Sequence, residues 1–212
     1  MILDWGGVLS RGRKGKTNED KLSEIENRFG LIDYLDQAKE LLALEDASTG
    51  GSFKITDAQN NASVLLMNSG FTKIYLILID NFVIYDGRVG AGLGLLVSQF
   101  KGQRPMTNID ALMFAYGDAA KSSKCINNKV RRNPSEGQTI FGNIFQGQDQ
   151  DKKSLKHIQN NLKASWLIDS IINDLPEGSN ILAESNPVRA LEAALVMIGS
   201  CVHVKCARNK IA

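Results

Sequence analysis

Apolar residues at helical spacing dominate the chain. Leu22, Ile25 and Phe29 recur on one face of a first segment. After Gly30 the positions Leu31, Ile32, Leu35, Ala38, Leu41 and Leu42 repeat that rhythm with acids and lysine opposite, so two amphipathic helices are predicted. The glycine-serine stretch Ser48 to Ser52 interrupts the pattern, and Thr56 with Gln59 has the form of a capping box opening a helix through Val64 and Leu66 towards Asn68. Gly70 ends or turns it. Lys73 then starts a helix ending near Asp80, Asn81 to Tyr85 runs extended, and Asp86 caps a helix through Leu95, Leu96 and Phe100 that "KGQRP" stops. Further helices are expected from about Ile109 to Ala120, from Ser154 as a cap through Leu155, Ile158, Leu162, Trp166 and Ile172, and from Asn186 and Pro187 through Met197. The asparagine-rich stretch from Ser122 to Ser135 and "FGNIFQGQDQD" have no clear period and read as irregular connections. Alternating strand patterns are scarce, "FVIYD" being the best exception, so the fold class is mostly α with little or no sheet.

Composition narrows the picture. At 212 residues, 43% hydrophobic and 23% charged, the chain matches one soluble globular domain over 1–212, without an apolar run long enough for a membrane span. The opening "MILDWGG" has no basic region ahead of an apolar one, so no signal peptide and a cytoplasmic location are expected. Three cysteines, Cys125, Cys201 and Cys206, argue against a disulfide framework and read as buried thiols. Cys201 and Cys206 flank His203, but with two histidines in the whole chain no metal site is expected. The formal charge of +2 identifies no partner by itself; its distribution matters more. Basic residues concentrate in "RGRKGK", with Arg11, Arg13 and Lys14, and in "KSSKCINNKVRR", with Lys129, Arg131 and Arg132, where no acid intervenes. Either cluster suits phosphate contact or ordinary solvated surface.

The segment Ser69 to Gly94 carries the candidate chemistry: an apolar run with Lys73 at its front, Asp86 and Arg88 at its back, and four glycines beyond. A helix rises roughly 1.5 Å per residue. A strand returns roughly 3.3 Å per residue. A helix from Lys73 to Asp80 and an extended return from Asn81 to Tyr85 therefore cover comparable lengths in opposite senses, which predicts that the two ends meet. A helix N-terminus disfavours an ammonium and favours a carboxylate, the direction in which a lysine must shift to attack carbon. Each residue also has a plainer role available. Lys73 can be a solvated helix-start lysine, Asp86 an N-cap, Arg88 a surface ion-pair partner, and Tyr75 and Tyr85 core residues. Gly87, Gly90, Gly92 and Gly94 are best explained by close helix packing.

The run "TKIYLILIDNFVIYDGRV" resembles the catalytic core of the helix-hairpin-helix DNA glycosylases, particularly their 8-oxoguanine branch. The resemblance centres on residues 69–94 and implies a helical domain with a glycosylase-like core around 54–120 and C-terminal helices over 154–204 packed on it. It further implies base excision on a flipped, damaged nucleotide, with Lys73 as the nucleophile that displaces the base and forms a Schiff base, and strand nicking as an associated lyase activity. Asp86 becomes the carboxylate that helps deprotonate the attacking group and steadies the cationic sugar. Gly70 and Thr72 belong to the hairpin that grips the DNA backbone through main-chain N–H groups, and Arg88 with the two basic clusters adds phosphate contacts. Tyr75 and Tyr85 are the candidate base-stacking rings. DNA is the expected partner, with no cofactor and no metal required. A non-catalytic nucleic-acid-binding or protein-interaction module on the same fold is the alternative.

Two other chemistries fail on pattern. In "VIYDGRVGAGLGLL" the third glycine of a dinucleotide fingerprint is displaced by one position, and βαβ alternation is absent. Neither His157 nor His203 sits in a local motif that supports a nucleophilic triad.

Overall fold

The computed structural model of the protein describes residues 8–10, 12–13, 16–43, 52–103, 109–119, 124–125, 128–129 and 131–202. Among them six α-helices carry the fold: α1 (Asn18–Phe29), α2 (Leu31–Leu42), α3 (Phe71–Tyr75), α4 (Gly87–Gln103), α5 (Gln150–Asn173) and α6 (Pro187–Ser200). Three short antiparallel pairs supply the sheet: β1 (Gly12–Arg13) with β2 (Lys16–Thr17), β3 (Lys54–Thr56) with β4 (Ala62–Val64), and β5 (Lys124–Cys125) with β6 (Asn128–Lys129). The mostly α class therefore stands. No described helix is long and apolar enough to cross a membrane.

Contacts group the chain into two compact units. The first holds the described residues up to Ile84 together with Gly147–Leu162, and the second holds Tyr85–Gln146 and the residues from Lys163 onward.

In the first unit, α1 starts with a complete capping box: the Thr17 hydroxyl accepts from the Asp20 N–H at 3.2 Å and the Asp20 carboxylate accepts from the Thr17 N–H at 2.6 Å. Gly30, at φ 74°, ends α1 and permits α2 to start at once. Their apolar stripes bury Ile25, Tyr34, Ala38 and Leu42 in a core shared with Phe71, Tyr75 and Ile158. Burying side chains of this size stabilises the fold by roughly 1.5–3 kcal/mol each.

The predicted helix from Thr56 to Asn68 is instead the β3–β4 hairpin and an extended run. Phe53 and Ile55 are buried while Lys54 and Thr56 are exposed, a period of two that suits a half-buried strand. The turn forms because the Asp57 carboxylate captures the N–H groups of Gln59 at 3.1 Å and Asn61 at 2.8 Å, with Asn60 taking the left-handed conformation at φ 62°. That side-chain competition is why Thr56 and Gln59 do not form a capping box. The hairpin expected from the helix ending at Asn68 and the helix that follows Gly70 accordingly lacks its first helix.

Further along, α3 is five residues long and continues as turns, in which Ile77 and Leu78 donate to Ile74 and Tyr75. The stretch "FVIYD" forms no strand. α5 starts before Ser154: Asp149 accepts the Lys152 N–H at 3.1 Å, while Ser154 is buried and its hydroxyl accepts from the Met67 N–H at 3.3 Å. Ser154 therefore serves tertiary packing in place of the predicted cap.

The second unit is built on α4 and α6. Asn186 and Pro187 open α6 as predicted, the Asn186 side chain accepting from the Arg189 N–H. α6 approaches α4 so closely that a Cβ on Gly92 would stand 2.6 Å from the Leu195 carbonyl oxygen, and one on Gly199 would stand 1.7 Å from that of Arg88. The predicted helix from Ile109 to Ala120 shrinks to a single 3-10 turn, Asp110–Leu112. Beyond it Phe114, Ala115 and Tyr116 are buried in succession, a pattern with no helical face. Tyr116 exchanges backbone hydrogen bonds with Gly142 and Ile144, at 2.9 and 2.7 Å, in place of an i to i+4 ladder.

Candidate functional site

Asp86 immediately precedes α4. Its Oδ1 accepts the main-chain N–H groups of Arg88 at 2.7 Å and Val89 at 3.1 Å, and its Oδ2 accepts Nε and Nη2 of Arg88 at 2.9 and 2.6 Å. One carboxylate thus caps the helix and binds a guanidinium in a forked pair. Burial pushes the Asp86 carboxyl up, but the Arg88 hydrogen bonds, the Arg88 charge and the two N–H donors outweigh it and hold it below the usual carboxylate range. Asp86 is therefore an anion at neutral pH and a poor proton acceptor there.

Arg132 approaches the same group. Burial lowers the pKa of its guanidinium, the Arg88 charge lowers it further, and Asp86 opposes them. Its Nε reaches the Ser200 carbonyl at the end of α6, at 3.5 Å, and the neighbouring Arg131 carbonyl accepts the Val202 N–H at 2.6 Å. Arg88 and Asp86 form the ion pair here, and the Arg132 guanidinium feels the charges of both. Arg88 keeps 40% of its side chain exposed and Asp86 17%.

Lys73 lies in the first unit and Asp86 in the second. Lys73 is the middle residue of the five-residue α3 and is only partly exposed. So short a helix gives little dipole, and the argument from a helix N-terminus does not apply to this lysine. The turn before it satisfies itself. The Asn68 carboxamide oxygen accepts the N–H groups of Gly70 at 2.8 Å and Phe71 at 3.1 Å, the Asn68 carbonyl accepts that of Thr72, and the Gly70 carbonyl accepts that of Lys73. Gly70 is buried against Asn18, and Thr72 is buried with its hydroxyl donating to the Ser69 carbonyl at 3.1 Å. These N–H groups point into the protein's own hydrogen bonds, so the expected grip on a DNA backbone through Gly70 and Thr72 is corrected to a side-chain-capped turn.

The stacking assignment is corrected as well. Tyr75 and Tyr85 are each 0% exposed, and their hydroxyls donate to the carbonyls of Leu66 at 2.8 Å and Ala115 at 2.6 Å. Burial raises both phenol pKa values well above the ordinary one, with the neighbouring Tyr34 adding to the effect at Tyr75 and the Asp86 charge at Tyr85. Rings with no accessible surface are core rings here, each with its polar tip satisfied.

Among the basic residues, Arg131 is exposed and Arg132 half-buried. Arg13 and Lys129 lie in β1 and β6, and Arg11 and Lys14 lie outside the described residues. Of the cysteine and histidine group, His203 and Cys206 also lie outside them. No cluster of three metal-ligating side chains occurs among the described residues.

The sequence reading missed a second set of residues beside Asp86. Gly87 and Gly117 touch through their backbones: the Gly117 N–H donates to the Gly87 carbonyl at 3.1 Å, and a Cβ on Gly87 would lie 2.5 Å from the Gly117 Cα. Against Gly117 stands the Phe145 ring, whose Cε2 would be 2.7 Å from a Cβ placed there. Asn143, buried beneath it, accepts the Phe145 N–H at 2.8 Å and donates to the Asp118 carboxylate. Only Gly87 carried a sequence signal, and it pointed to helix packing.

No protein-family model, curated protein or solved structure matches the chain.

Proposed function

We propose that the chain binds DNA and acts on it as a base-excision enzyme of the glycosylase and lyase type, with Lys73 as the nucleophile. The observation that supports this most is the forked Asp86–Arg88 pair at the head of α4, an ionised carboxylate with a guanidinium beside it, whose charges also reach Arg132. The guanidinium groups suit flanking phosphates. The carboxylate suits the positive charge that grows on a sugar as its base departs. Because Asp86 is held ionised, its role in this reading is electrostatic, and proton removal falls to another group or to water. The Lys73 amine forms a bond to the sugar C1′ as the base leaves with the electron pair of the glycosidic bond. Loss of a proton from nitrogen and opening of the sugar ring then give the Schiff base. Loss of a C2′ proton with departure of the 3′ phosphate nicks the strand.

Borohydride reduction tests the central step, because it converts a Schiff base into a stable covalent adduct. The wild-type protein, mixed with duplex DNA bearing an abasic site or 8-oxoguanine, is expected to give an adduct that Lys73→Ala abolishes. Salt-sensitive binding without an adduct would remove the catalytic claim, and absence of both would remove DNA altogether.

The second reading, a non-catalytic binding module, is favoured by a specific observation. Asp86 spends both oxygens on α4 and Arg88, and the turn before Lys73 spends its N–H groups on Asn68 and Gly70. Both arrangements are complete as structure without any ligand.

A further inference from the structure

α6 has two charged residues among its 14, Arg189 and Glu192, and their side chains pair with each other. Both lie mostly within the protein, Glu192 almost wholly so. Val188, Glu192, Leu195 and Gly199 are buried on one face of the helix, and Leu195 and Gly199 meet α4 there. With about 3.6 residues per turn, the opposite face holds Ala190, Ala193, Ala194 and Met197, with Ile198 beside it. Met197 is 78% exposed, Ala193 and Ile198 are exposed, and Ala190 and Ala194 are partly so. A helix that is apolar all round is ordinarily a buried helix. On α6 the outer side stays open.

The make-up of this face indicates what covers it. It carries no charge, so it gives a charged partner nothing to pair with, and two identical copies meet on it without like-charge repulsion. Its residue sizes are also graded: three alanines lead, and a large, adaptable methionine follows. In an antiparallel pair of α6 helices related by a two-fold axis between Ala193 and Ala194, Met197 of each copy falls on Ala190 of the other, large on small. The central alanines permit a close helix approach, and the opposed helix dipoles favour this orientation over a parallel one.

We propose that the outer face of α6 is a self-association surface, on which a second copy of this chain docks antiparallel with Met197 seated against Ala190. A single helix face is small beside the roughly 800 Å² per partner of a standard interface, so the dimer is weak and depends on protein concentration. The proposal is independent of the function proposed above, since no residue of that site takes part.

Sedimentation velocity of the full chain over a wide concentration range tests it, with circular dichroism verifying that each variant is folded. The mass is expected to rise from that of one chain towards that of two as concentration increases. Met197→Glu should hold the protein at the single-chain mass, because it sets a carboxylate into each half of the apolar contact. Met197→Ala and Ala190→Met should each raise the dimer Kd about tenfold or more. The exchange variant carrying both Ala190→Met and Met197→Ala should recover most of that loss, because it keeps the large-on-small fit. A wild-type protein that sediments as one chain at every concentration overturns the proposal and leaves the face to a different partner. A dimer that persists in Met197→Glu overturns it by placing the contact elsewhere, and loss without recovery in the exchange variant overturns the antiparallel seating.

Discussion

Arg88 grips the carboxylate of Asp86 from two residues away, with Nε at 2.9 Å and Nη2 at 2.6 Å, while its own main-chain N–H donates to the other oxygen at 2.7 Å. One acidic side chain therefore starts α4, orients an arginine and stays ionised. Local capping and long-range charge placement meet at this residue, since Arg132 arrives from a separate loop.

That arrangement predicts a pH-dependent stability. The folded-state pKa of Asp86 lies below the ordinary carboxylate value, so its contribution is fully present above about pH 4 and is lost as pH falls through the lower folded value. Asp86→Asn keeps an oxygen to accept the cap hydrogen bonds and loses the charge. We expect it to cost about 0.5–1 kcal/mol at pH 7, a figure reduced by the partial exposure of Arg88. Urea melts at stepped pH should show the gap between the two proteins closing below pH 3.8. A gap constant from pH 7 to 3 would contradict the ionised pair.

Two glycines should respond oppositely to alanine. At Gly199 a new Cβ would lie 1.7 Å from the Arg88 carbonyl oxygen, a backbone atom that cannot turn aside, so α6 must shift. Gly199→Ala is expected to destabilise by about 3 kcal/mol or more. Gly102, exposed in the last turn of α4, has nothing within 4 Å of its would-be Cβ. Gly102→Ala should stabilise by about 0.5–1 kcal/mol through the unfolded state. Denaturant midpoints for the two variants decide the matter.

Gly70 is constrained by a side chain. Its Cβ would fall 2.2 Å from Nδ2 of Asn18, which cannot swing away freely because it donates to the Val8 carbonyl at 2.8 Å while Oδ1 accepts from Asn68 at 3.0 Å. Gly70→Ala should therefore cost about 1–3 kcal/mol by breaking that buried pair of hydrogen bonds. In a double-mutant cycle with Asn18→Ala the two losses should fall short of additive, since the second substitution removes the clash. Full additivity would show that the side chains do not meet.

For Arg132 the expectation is electrostatic. On the DNA-binding function proposed above, Arg132→Ala should weaken binding irrespective of sequence and reduce the slope of log Kd against log salt by about one phosphate contact. Fluorescence titrations at several salt concentrations, with circular dichroism to verify folding, measure it. An unchanged slope would place Arg132 outside the nucleic-acid contact.

Where the determinants are local, the sequence was legible. Asp86, Asn186 and Pro187 declare helix starts by chemistry that reaches three residues, and the apolar stripes of α1, α2, α4 and α5 declare helices by repetition. Thr56 with Gln59 misled because Asp57 offered the backbone N–H groups a nearer acceptor, and two residue spacings alone cannot rank such competitors. The helix expected from Ile109 to Ala120 misled for a different reason, the Tyr116 backbone being claimed by Gly142 and Ile144 from distant sequence.

The chain by itself determined a mostly helical fold, the start of α4 at an aspartate-arginine pair, and the identity of the residues available for chemistry, because capping and periodicity act over a few neighbours. Tertiary structure alone decided that Tyr75 and Tyr85 are sealed in the core while Phe145 stays open, and that the Arg132 guanidinium feels the charges of Arg88 and Asp86. Burial and charge proximity are sums over atoms brought together from remote positions, and no local pattern carries those sums.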